Sequence, residues 1–311
     1  MSKPALYISA ASTISHQPTF RNAGFSETLG PVEASSALIS PDYKAYIDAG
    51  LLRRMSKILR MSVACAKDCV EQAGSGQPDA IVVGTGLGCL QDTEKFLNTS
   101  LTVEGLLPPT SFIQSTHNTM AGQISLSLGN HGYNMTHTQN TLSFEHALLD
   151  AAMLLREGDR NVLVGAADEH IDILNDIAVQ LAFEATAPLT SAASFFILSD
   201  EHTGNAAAAL ADLFTSGATD NAQEEIDAFL DRNGLQPGDI DLALYAGKPV
   251  SGVARNIDYL PLAGVYPTAS AFAMHYAVDV LSENSKVRNV LICNTLRKSN
   301  LGLILLQAVE A

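Results

Sequence analysis

Short apolar runs alternate along this chain with longer segments in which apolar residues recur at helical spacing. In residues 57–88 the helical spacing continues to Gly74, a Gln-Pro-Asp turn follows, and residues 80–83 are an uninterrupted apolar run. The pattern predicts a helix that ends at Gly74 and a buried strand after the turn. Apolar strands flanked by helices are typical of an α/β fold whose sheet is covered on both faces.

This order of elements is repeated later in the chain. Residues 222–247 again read as a helix, a glycine stop, a Gln-Pro turn, an acidic residue and an apolar strand. Residues 144–166 and 272–294 each predict a helix, a short turn and a strand that opens with Arg-Asn-Val-Leu. Two matching pairs in the same order indicate duplicated α/β halves. We predict halves at residues 1–200 and 201–311 that share one core, with the second half shortened.

Composition narrows the possible classes of protein. Of the 311 residues, 47% are hydrophobic and 16% are charged, so much of the chain must lie in a core or an interface. No run of about 18 apolar residues occurs, so no membrane span is expected, and the first residues predict a strand rather than a signal peptide. Four cysteines without a paired pattern favour a reducing cytoplasm.

The charge of the chain argues against nucleic acid as a partner. The net charge is −15, and an acidic protein repels the phosphate backbone. A local cluster of basic residues is interpreted as a solvated helix face: Lys44, Arg53, Arg54, Lys57 and Arg60.

Other motifs that carry chemistry in proteins have a structural explanation in this sequence. The glycines of GTGLG lack the GxGxxG spacing of a dinucleotide site and predict a tight strand-to-helix turn. Cys65 and Cys69 share a helix face and are expected in the core. Three histidines lie on separate elements without carboxylates at ligand spacing: His117, His131 and His137. No metal and no other cofactor is therefore expected.

Several segments resemble the β-ketoacyl synthases of fatty-acid and polyketide assembly, which have the thiolase fold. They are RRMSKILRMSVACA (53–66), IVVGTGLGCLQDTEKF (81–96), PTSFIQSTHNTMAGQISLSLGNHGYN (109–134) and the helix and strand of 144–168. The end of the chain, LICNTLRKSNLGLILLQ, resembles the last two strands of the family. The resemblance implies two duplicated α/β halves packed as a layered α-β-α-β-α domain.

The resemblance also implies three catalytic positions: a cysteine that takes the acyl chain and two histidines that assist condensation. Counting back from the helix that ends at Gly158 places the nucleophile position at Thr141, or at Gln139 with a shift of two residues. Gly247 and Ala269 fall at the two histidine positions. All three groups are therefore expected to be missing. Glu145 and His146, one turn into the helix, are interpreted as packing and dipole compensation.

Members of this family without catalytic groups act as chain-length factors, each paired with an active synthase in a heterodimer. The resemblance implies that this chain lines the acyl tunnel, with the active β-ketoacyl synthase as its partner and acyl carrier protein docking mainly on that partner. The motifs STHNT, NHGYN and SFEHALLDA resemble those of ketosynthase-like proteins from aryl polyene and flexirubin pigment gene clusters. The tunnel and interface residues are expected on the helix after GTGLG and in the next segment: Leu90, Thr93, Glu94, Leu97, Phe112, Gln114 and Asn118.

Two alternatives remain open at this point. The chain could be an active 3-oxoacyl synthase or acyltransferase that works as a homodimer through an atypical nucleophile, namely Cys89, Thr141 or Ser143. It could also be a purely structural scaffold that stabilises a partner without contacting substrate. For the helix after GTGLG, the competing interpretation is an amphipathic helix that packs on its own core.

Overall fold

The computed structural model describes residues 6–107, 109–182, 185–202, 206 and 208–309. Within these residues the chain forms ten strands and ten α-helices. The strands are β1 (Leu6–Ile14), β2 (Ala80–Gly84), β3 (Tyr133–His137), β4 (Asn161–Asp168), β5 (Ala192–Ser199), β6 (Ala208–Ser216), β7 (Leu242–Ala246), β8 (Asn256–Asp258), β9 (Asn289–Asn294) and β10 (Leu301–Gln307).

The helices fill the long intervals between the strands. They are α1 (Ala49–Leu52), α2 (Lys57–Ala73), α3 (Leu90–Thr102), α4 (Pro109–Gln114), α5 (Thr119–Leu128), α6 (Ser143–Glu157), α7 (Ile173–Gln180), α8 (Ala222–Arg232), α9 (Leu260–Ala263) and α10 (Ala269–Glu283). As the sequence pattern predicts, α2 ends at Gly74, which has a left-handed backbone conformation. No helix in the described part of the chain is long and apolar enough to cross a membrane.

All ten strands belong to one sheet, in the order β3-β2-β4-β5-β1-β6-β10-β9-β7-β8. The five strands that precede residue 200 are contiguous in this order, and so are the five that follow it. They meet where Leu6–Ile8 of β1 pair antiparallel with Ala208–Leu210 of β6. The interpretation of residues 1–200 and 201–311 as two halves of one core places the division between β5 and β6.

The helices cover both faces of each half of the sheet. Helices α6 and α10 lie between the two halves, in a core that also takes side chains from the inner faces of both. Helix α2 packs on the outer face of β1, β4 and β5, and α8 packs on the outer face of the second half. The result is the layered α-β-α-β-α arrangement that the resemblance implies.

The two halves repeat one hydrogen-bonding device as well as one order of elements. In the first half, Asp79 Oδ2 accepts hydrogen bonds from the backbone N–H groups of Arg160 (2.8 Å) and Asn161 (3.0 Å). In the second half, Asp241 Oδ2 accepts the corresponding bonds from Arg288 (2.7 Å) and Asn289 (2.9 Å). The two Arg-Asn-Val-Leu segments therefore occupy equivalent places in the two halves, because the backbone N–H groups of the first two residues bind an equivalent aspartate in each half.

Candidate functional site

A sharp turn joins β3 to α6 at the edge where the resemblance places the nucleophile. Residues 140–142 form a single 3₁₀ turn, and Asn140 at its start has a φ of 54°. Asparagine is one of the few residue types other than glycine that occupy this left-handed region. The tip of the turn is thus an exposed amide, between Gln139, which is also exposed, and Thr141, which is buried.

Residues of the second half hold Thr141 in place. Asn300 Nδ2 donates to Thr141 Oγ1 at 2.9 Å, and Asn294 Nδ2 donates to the Thr141 carbonyl at 2.7 Å. Asn294 also donates to Glu145 Oε1 at 2.8 Å. Neither asparagine is a base that would take a proton from the threonine hydroxyl. Two amide side chains of the second half therefore anchor the turn at Thr141.

Glu145 lies in the interior one turn into α6. Its side chain has no exposed surface, and its Oε2 has no hydrogen-bond partner among the described residues. Burial raises the pKa of this carboxyl, although the hydrogen bond from Asn294 opposes the shift. Packing of Glu145 in the core agrees with the expectation for this position. His146 is only partly buried on the same helix, and burial lowers its pKa.

The two positions that the resemblance assigns to histidines, Gly247 and Ala269, are both closely surrounded by other residues. Gly247 follows β7 with a φ of 98°, and a Cβ at this residue would lie 2.6 Å from Thr295 Oγ1. A larger side chain there would be strained and in collision. Ala269 is the first residue of α10 and is 1% exposed. Gly247 therefore has no room for a side chain unless Thr295 moves, and Ala269 is buried at the start of α10.

Asp168, which the sequence analysis did not single out, connects the elements around the turn. Its Oδ1 accepts hydrogen bonds from Thr85 Oγ1 (2.9 Å) and from the N–H groups of Gly86 (2.9 Å) and Leu87 (2.8 Å). Its Oδ2 accepts from Thr268 Oγ1 (2.8 Å) and from the Thr268 N–H (3.0 Å). One buried carboxylate therefore joins the GTGLG turn of the first half to the start of α10 in the second.

The GTGLG segment forms the tight turn that its glycines predict. A Cβ at Gly86 would lie 2.3 Å from Pro267 Cβ, and one at Gly88, which has a φ of 67°, would lie 2.7 Å from His117 Cδ2. Glycine is needed at both residues because another part of the chain approaches their backbone closely.

A cavity of about 580 Å³ opens beside the turn. Asn140 and Thr141 form one wall, and residues from α7, the GTGLG turn and the segment before α10 form the rest, most of them apolar. Glu169 is a charged member of this lining and has no exposed surface. Its Oε1 accepts a hydrogen bond from the Gln91 N–H at 3.0 Å, and burial raises its pKa to about 6.

The atypical nucleophiles considered from the sequence are poorly placed for reaction. Cys89 is fully buried at the start of α3, and burial together with the nearby Glu169 and Asp92 raises the pKa of its thiol. A raised pKa leaves the thiol protonated, whereas nucleophilic attack requires the thiolate. Ser143 is buried and donates to the Asn140 carbonyl at 2.7 Å. Cys65 and Cys69 lie in the core and donate to carbonyl groups of β5, as expected for packing residues.

The predicted tunnel and interface residues lie on a surface formed by α3, α4 and the start of α5. Asp92 is the one residue of α3 that is buried, so α3 does not pack a broad apolar face on its own core. Leu97 and Phe112 are 52% and 56% exposed. Leu90, Thr93 and Glu94 are partly buried, and Thr93 Oγ1 donates to the carbonyls of Cys89 and Ser115.

Two further predicted residues join neighbouring elements to this surface. Gln114 Nε2 donates to the Arg54 carbonyl at 2.8 Å. Asn118 Oδ1 accepts from Thr136 Oγ1 of β3 at 3.1 Å. The surface therefore extends from α3 to the outer strand of the sheet.

The basic cluster is only partly a solvated face. Lys44, Arg53 and Arg54 are exposed, and the two arginines line a second cavity of about 820 Å³ together with Lys95. Lys57 departs from the expectation because its Nζ turns inward and donates to the His170 carbonyl at 2.8 Å. Burial lowers the pKa of this amine.

The described residues contain no group of three or more His, Cys, Asp or Glu side chains that could hold a metal ion. His137 instead pairs with Asp150, with Nε2 and Oδ2 2.9 Å apart. His117 packs against Gly88.

Comparison with known proteins gives the class of the molecule. The sequence-family model of the β-ketoacyl synthase N-terminal domain matches residues 35–229. The chain belongs to this family. No curated protein matches the chain. Its fold is the thiolase fold of ketosynthases and chain length factors.

Solved structures with this fold match the chain over almost its whole length. A chain of the ishigamide ketosynthase/chain length factor is 16% identical, with a TM-score of 0.80 over 98% of this chain and 100% of that one. A chain of a type II PKS acyl-carrier protein in complex with its ketosynthase bound to the hexaketide is 13% identical. Its TM-score is 0.78 over 99% of this chain and 100% of that one. A chain of the ketosynthase ApeO in complex with its chain length factor ApeC from Xenorhabdus doucetiae is 12% identical. Its TM-score is 0.74 over 99% of this chain and 100% of that one.

Proposed function

We propose that this chain is a non-catalytic ketosynthase-like subunit, a chain-length factor that pairs with an active β-ketoacyl synthase and shapes its acyl tunnel. The observation that carries the proposal is the exposed amide of Asn140 at the tip of the turn before α6. An amide cannot form the acyl thioester on which condensation depends. Gly247, where a side chain would collide with Thr295, supports the same conclusion for the second half.

The outer strand of the sheet supports pairing with another chain. Strand β3 is the first strand of the sheet order and pairs only with β2 among the described strands. Tyr133 and Met135 on it are each 40% exposed. An unpaired edge with exposed apolar residues is a template for strand addition. We assign this edge, with the adjoining surface of α3 and α4, to the partner synthase.

The exposed apolar residues of α3 support the tunnel role. Leu97 and Leu101 are 52% and 83% exposed in the single chain. Contiguous apolar surface of this kind marks an interaction site in a water-soluble protein. In the complex these side chains would close the end of the tunnel, where added bulk limits the length of the acyl chain. The solved relatives that are complexes of a ketosynthase with a chain length factor support this assignment.

Three more specific proposals concern the pathway, the docking of acyl carrier protein and the location of the chain. They rest on its sequence motifs, its net charge and its cysteines. The pathway is aryl polyene or a related type II polyketide pathway, on the similarity of the 115–151 motifs. Acyl carrier protein docks mainly on the partner, because a chain of net charge −15 repels an acidic carrier. A cytoplasmic location fits the four cysteines, all of which are free thiols.

Co-expression with an active β-ketoacyl synthase as candidate partner tests the proposal. We expect a stable 1:1 complex by size-exclusion chromatography with light scattering. Intact-protein mass spectrometry after incubation with an acyl thioester should show the acyl group on the synthase and none on this chain.

An acyl adduct on this chain alone would overturn the non-catalytic assignment. Its loss in Cys89→Ala or in Thr141→Ala would then identify the nucleophile. A complex that forms but whose products keep their length in every α3 variant would leave only the scaffold role.

A further inference from the structure

A third cavity, of about 420 Å³, lies beside β1 where the two halves of the sheet separate. Among the described residues, β1 pairs with β6 through Leu6–Ile8. The next residues of β1, the 19–23 loop and the C-terminal half of α10 line the cavity, whose volume is that of a small-molecule site. No residue of the β3–α6 turn or of the α3 and α4 surface belongs to this lining. The cavity is therefore separate from the site described above.

One buried side chain in the lining has an unsatisfied acceptor. His275 is 9% exposed, and its Nδ1 lies 2.9 Å from Thr13 Oγ1. The Thr13 hydroxyl donates its one hydrogen to Ser194 Oγ at 2.8 Å, so it accepts from Nδ1 and the lone pair of the imidazole lies on Nε2. Burial lowers the pKa of His275 to about 4, so the ring is neutral at pH 7. Its Nε2 has no hydrogen-bond partner among the described residues.

The contacts of the His275 ring leave its Nε2 edge to the cavity. The rings of Phe25 and Phe196 pack against it with centroids 4.8 Å and 6.4 Å away, and Thr13 occupies the Nδ1 edge. The part of His275 that remains exposed lines the cavity. A buried acceptor without a partner is costly, and a donor held in the cavity would supply the partner.

A buried carboxylate one turn further along α10 has no cation beside it. Asp279 is 7% exposed, and its two oxygens each accept a backbone N–H of the 24–26 loop at 2.8 Å. Arg21, the cation that lines the same cavity, pairs with Asp68 and Glu71 instead. No ion pair joins Asp279 to another described residue. Because a buried charge without an opposite charge is costly, the cavity lacks a cation.

The other polar groups of the lining offer acceptors more than donors. Ser9 Oγ and Ser282 Oγ each donate to a backbone carbonyl, at 3.4 Å and 3.0 Å, so towards the cavity these hydroxyl groups can only accept. The amides of Asn22 and Gln72 already donate to the Pro18 carbonyl and to Asp68. The lining therefore fits a ligand that brings both hydrogen-bond donors and positive charge.

We propose that this cavity binds a small organic cation with a primary ammonium group, which donates to His275 Nε2 and places its charge beside the Asp279 carboxylate. An ammonium group has three donors and no acceptor. The side chains of Ala10, Ala11 and Val278 in the lining fit a short alkyl body. The net charge of −15 attracts such a cation at longer range. Binding is a property of the single chain and goes beyond the pairing proposed above.

Nuclear magnetic resonance of the histidine ring nitrogens tests the proposal on the purified chain. In a sample labelled with ¹⁵N-histidine, His275→Gln identifies the signals of His275 among those of the eight histidines. Butylammonium at neutral pH should move the Nε2 signal saturably towards that of a protonated nitrogen, because the lone pair then accepts a hydrogen bond. The absence of any shift would overturn the proposal.

Three comparators of similar size separate charge from hydrogen bonding. Butanol has a donor without charge, tetramethylammonium has the charge without a donor, and butyrate has the opposite charge. We expect each to bind at least about tenfold more weakly than butylammonium. Affinity equal to that of butylammonium for any of the three would contradict a site for a primary ammonium group.

Two aspartate variants locate the charge that binds the cation. Asp279→Asn keeps the shape of the side chain and should lower the affinity for butylammonium at least about tenfold. Asp220→Asn removes the same charge from an exposed residue outside the lining, and should change the affinity by less than about twofold. Equal losses in the two variants would mean that net charge alone attracts the cation. If Asp279→Asn does not fold, the comparator series on the unaltered chain still decides the proposal.

Discussion

Asp168 and Thr268, one hundred residues apart in the chain, are joined by two hydrogen bonds to a single carboxylate oxygen. The other oxygen of Asp168 receives three donors from the turn after β2. A carboxylate has about four lone-pair acceptor sites, so the five donors saturate it, and it has no donor of its own to conflict with them. Asp168 thus fixes how the two halves meet beside the cavity.

Replacing Asp168 with alanine should destabilise the protein by about 3–5 kcal/mol, because five buried donors lose their acceptor. Urea unfolding followed by circular dichroism measures the change. Thr268→Val is the matched control, since it removes only the hydroxyl bond and should cost about 1 kcal/mol. Equal effects of the two variants would contradict a central role for Asp168.

Glu169 should make stability depend on pH near neutrality. Its pKa is raised from 4.5 to about 6 in the folded state. The folded chain therefore binds the proton more tightly than the unfolded chain, and stability falls as the pH rises from 4.5 through 6. Above that range the penalty is about 2 kcal/mol. Glu169→Gln should remove this loss in urea titrations at pH 5 and pH 7.5.

The control for this experiment is Glu104→Gln, which makes the same replacement of a carboxylate by an amide at an exposed residue. Its unfolding midpoints at the two pH values should differ by as much as those of the unaltered chain. If Glu169→Gln behaves in the same way as Glu104→Gln, the shifted proton belongs to another group.

Gly247→Ala should cost about 2 kcal/mol or more, because the residue has a φ of 98° and its Cβ would meet Thr295. Gly217 offers a matched control, since a Cβ there has no atom within 4 Å. Gly217→Ala should change the free energy of unfolding by less than about 0.5 kcal/mol. Thermal unfolding of the two variants compares them directly, and similar midpoints would mean that the loop after β7 adapts to a side chain.

Leu97→Trp should shorten the acyl products of the assembled complex, because the added ring occupies the proposed end of the tunnel. Asn98 is the neighbouring exposed residue of α3, and its side chain lies on a different face of the helix. The products of a complex that carries Asn98→Trp should therefore keep their length. Mass spectrometry of the released chains measures the outcome. Shortening by both variants would indicate a general disturbance of α3 instead of a gate.

Met135→Glu should weaken the complex with the synthase at least about tenfold, since a buried unpaired charge at an edge strand is costly on pairing. The residue is 40% exposed in the single chain, so folding should be little affected. Ile39→Glu, at a residue that is 47% exposed in an N-terminal loop, is the control and should leave affinity unchanged. Analytical ultracentrifugation of mixtures gives both affinities. An unaffected Met135→Glu complex would move the interface away from β3.

Much of the fold follows from local pattern. Helix α2 and strand β2 lie where the apolar spacing and Gly74 predict them, since glycine stops and buried strands are short-range signals. The order of elements in the second half follows from the same signals. The alternation of strand and helix predicts an α/β fold with a sheet covered on both faces, because each apolar face must be covered by another element; the five-layer arrangement was implied by the family resemblance.

Less of the candidate site could be predicted from the local sequence pattern. Counting along α6 leads to Thr141 or Gln139, but the backbone conformation of the turn, which depends on the tolerance of asparagine for positive φ, makes Asn140 its tip. The assignment of a nucleophile position remains a prediction. The roles of Asp168 and Asn300 depend on partners that are 81 to 159 residues away in the chain, and a single sequence gives no sign of such pairs.

The carboxylates of Asp79 and Asp241 each bind the first two backbone N–H groups of a distant strand in their own half. Such a clasp closes a loop of about eighty residues in one half and of under fifty in the other. The segment between each aspartate and its partner strand is thereby closed within its own half, although α6 and α10 pack in the core that both halves share. A substitution that removes one of the two carboxylates opens the closure in one half and leaves the equivalent closure in the other half in place.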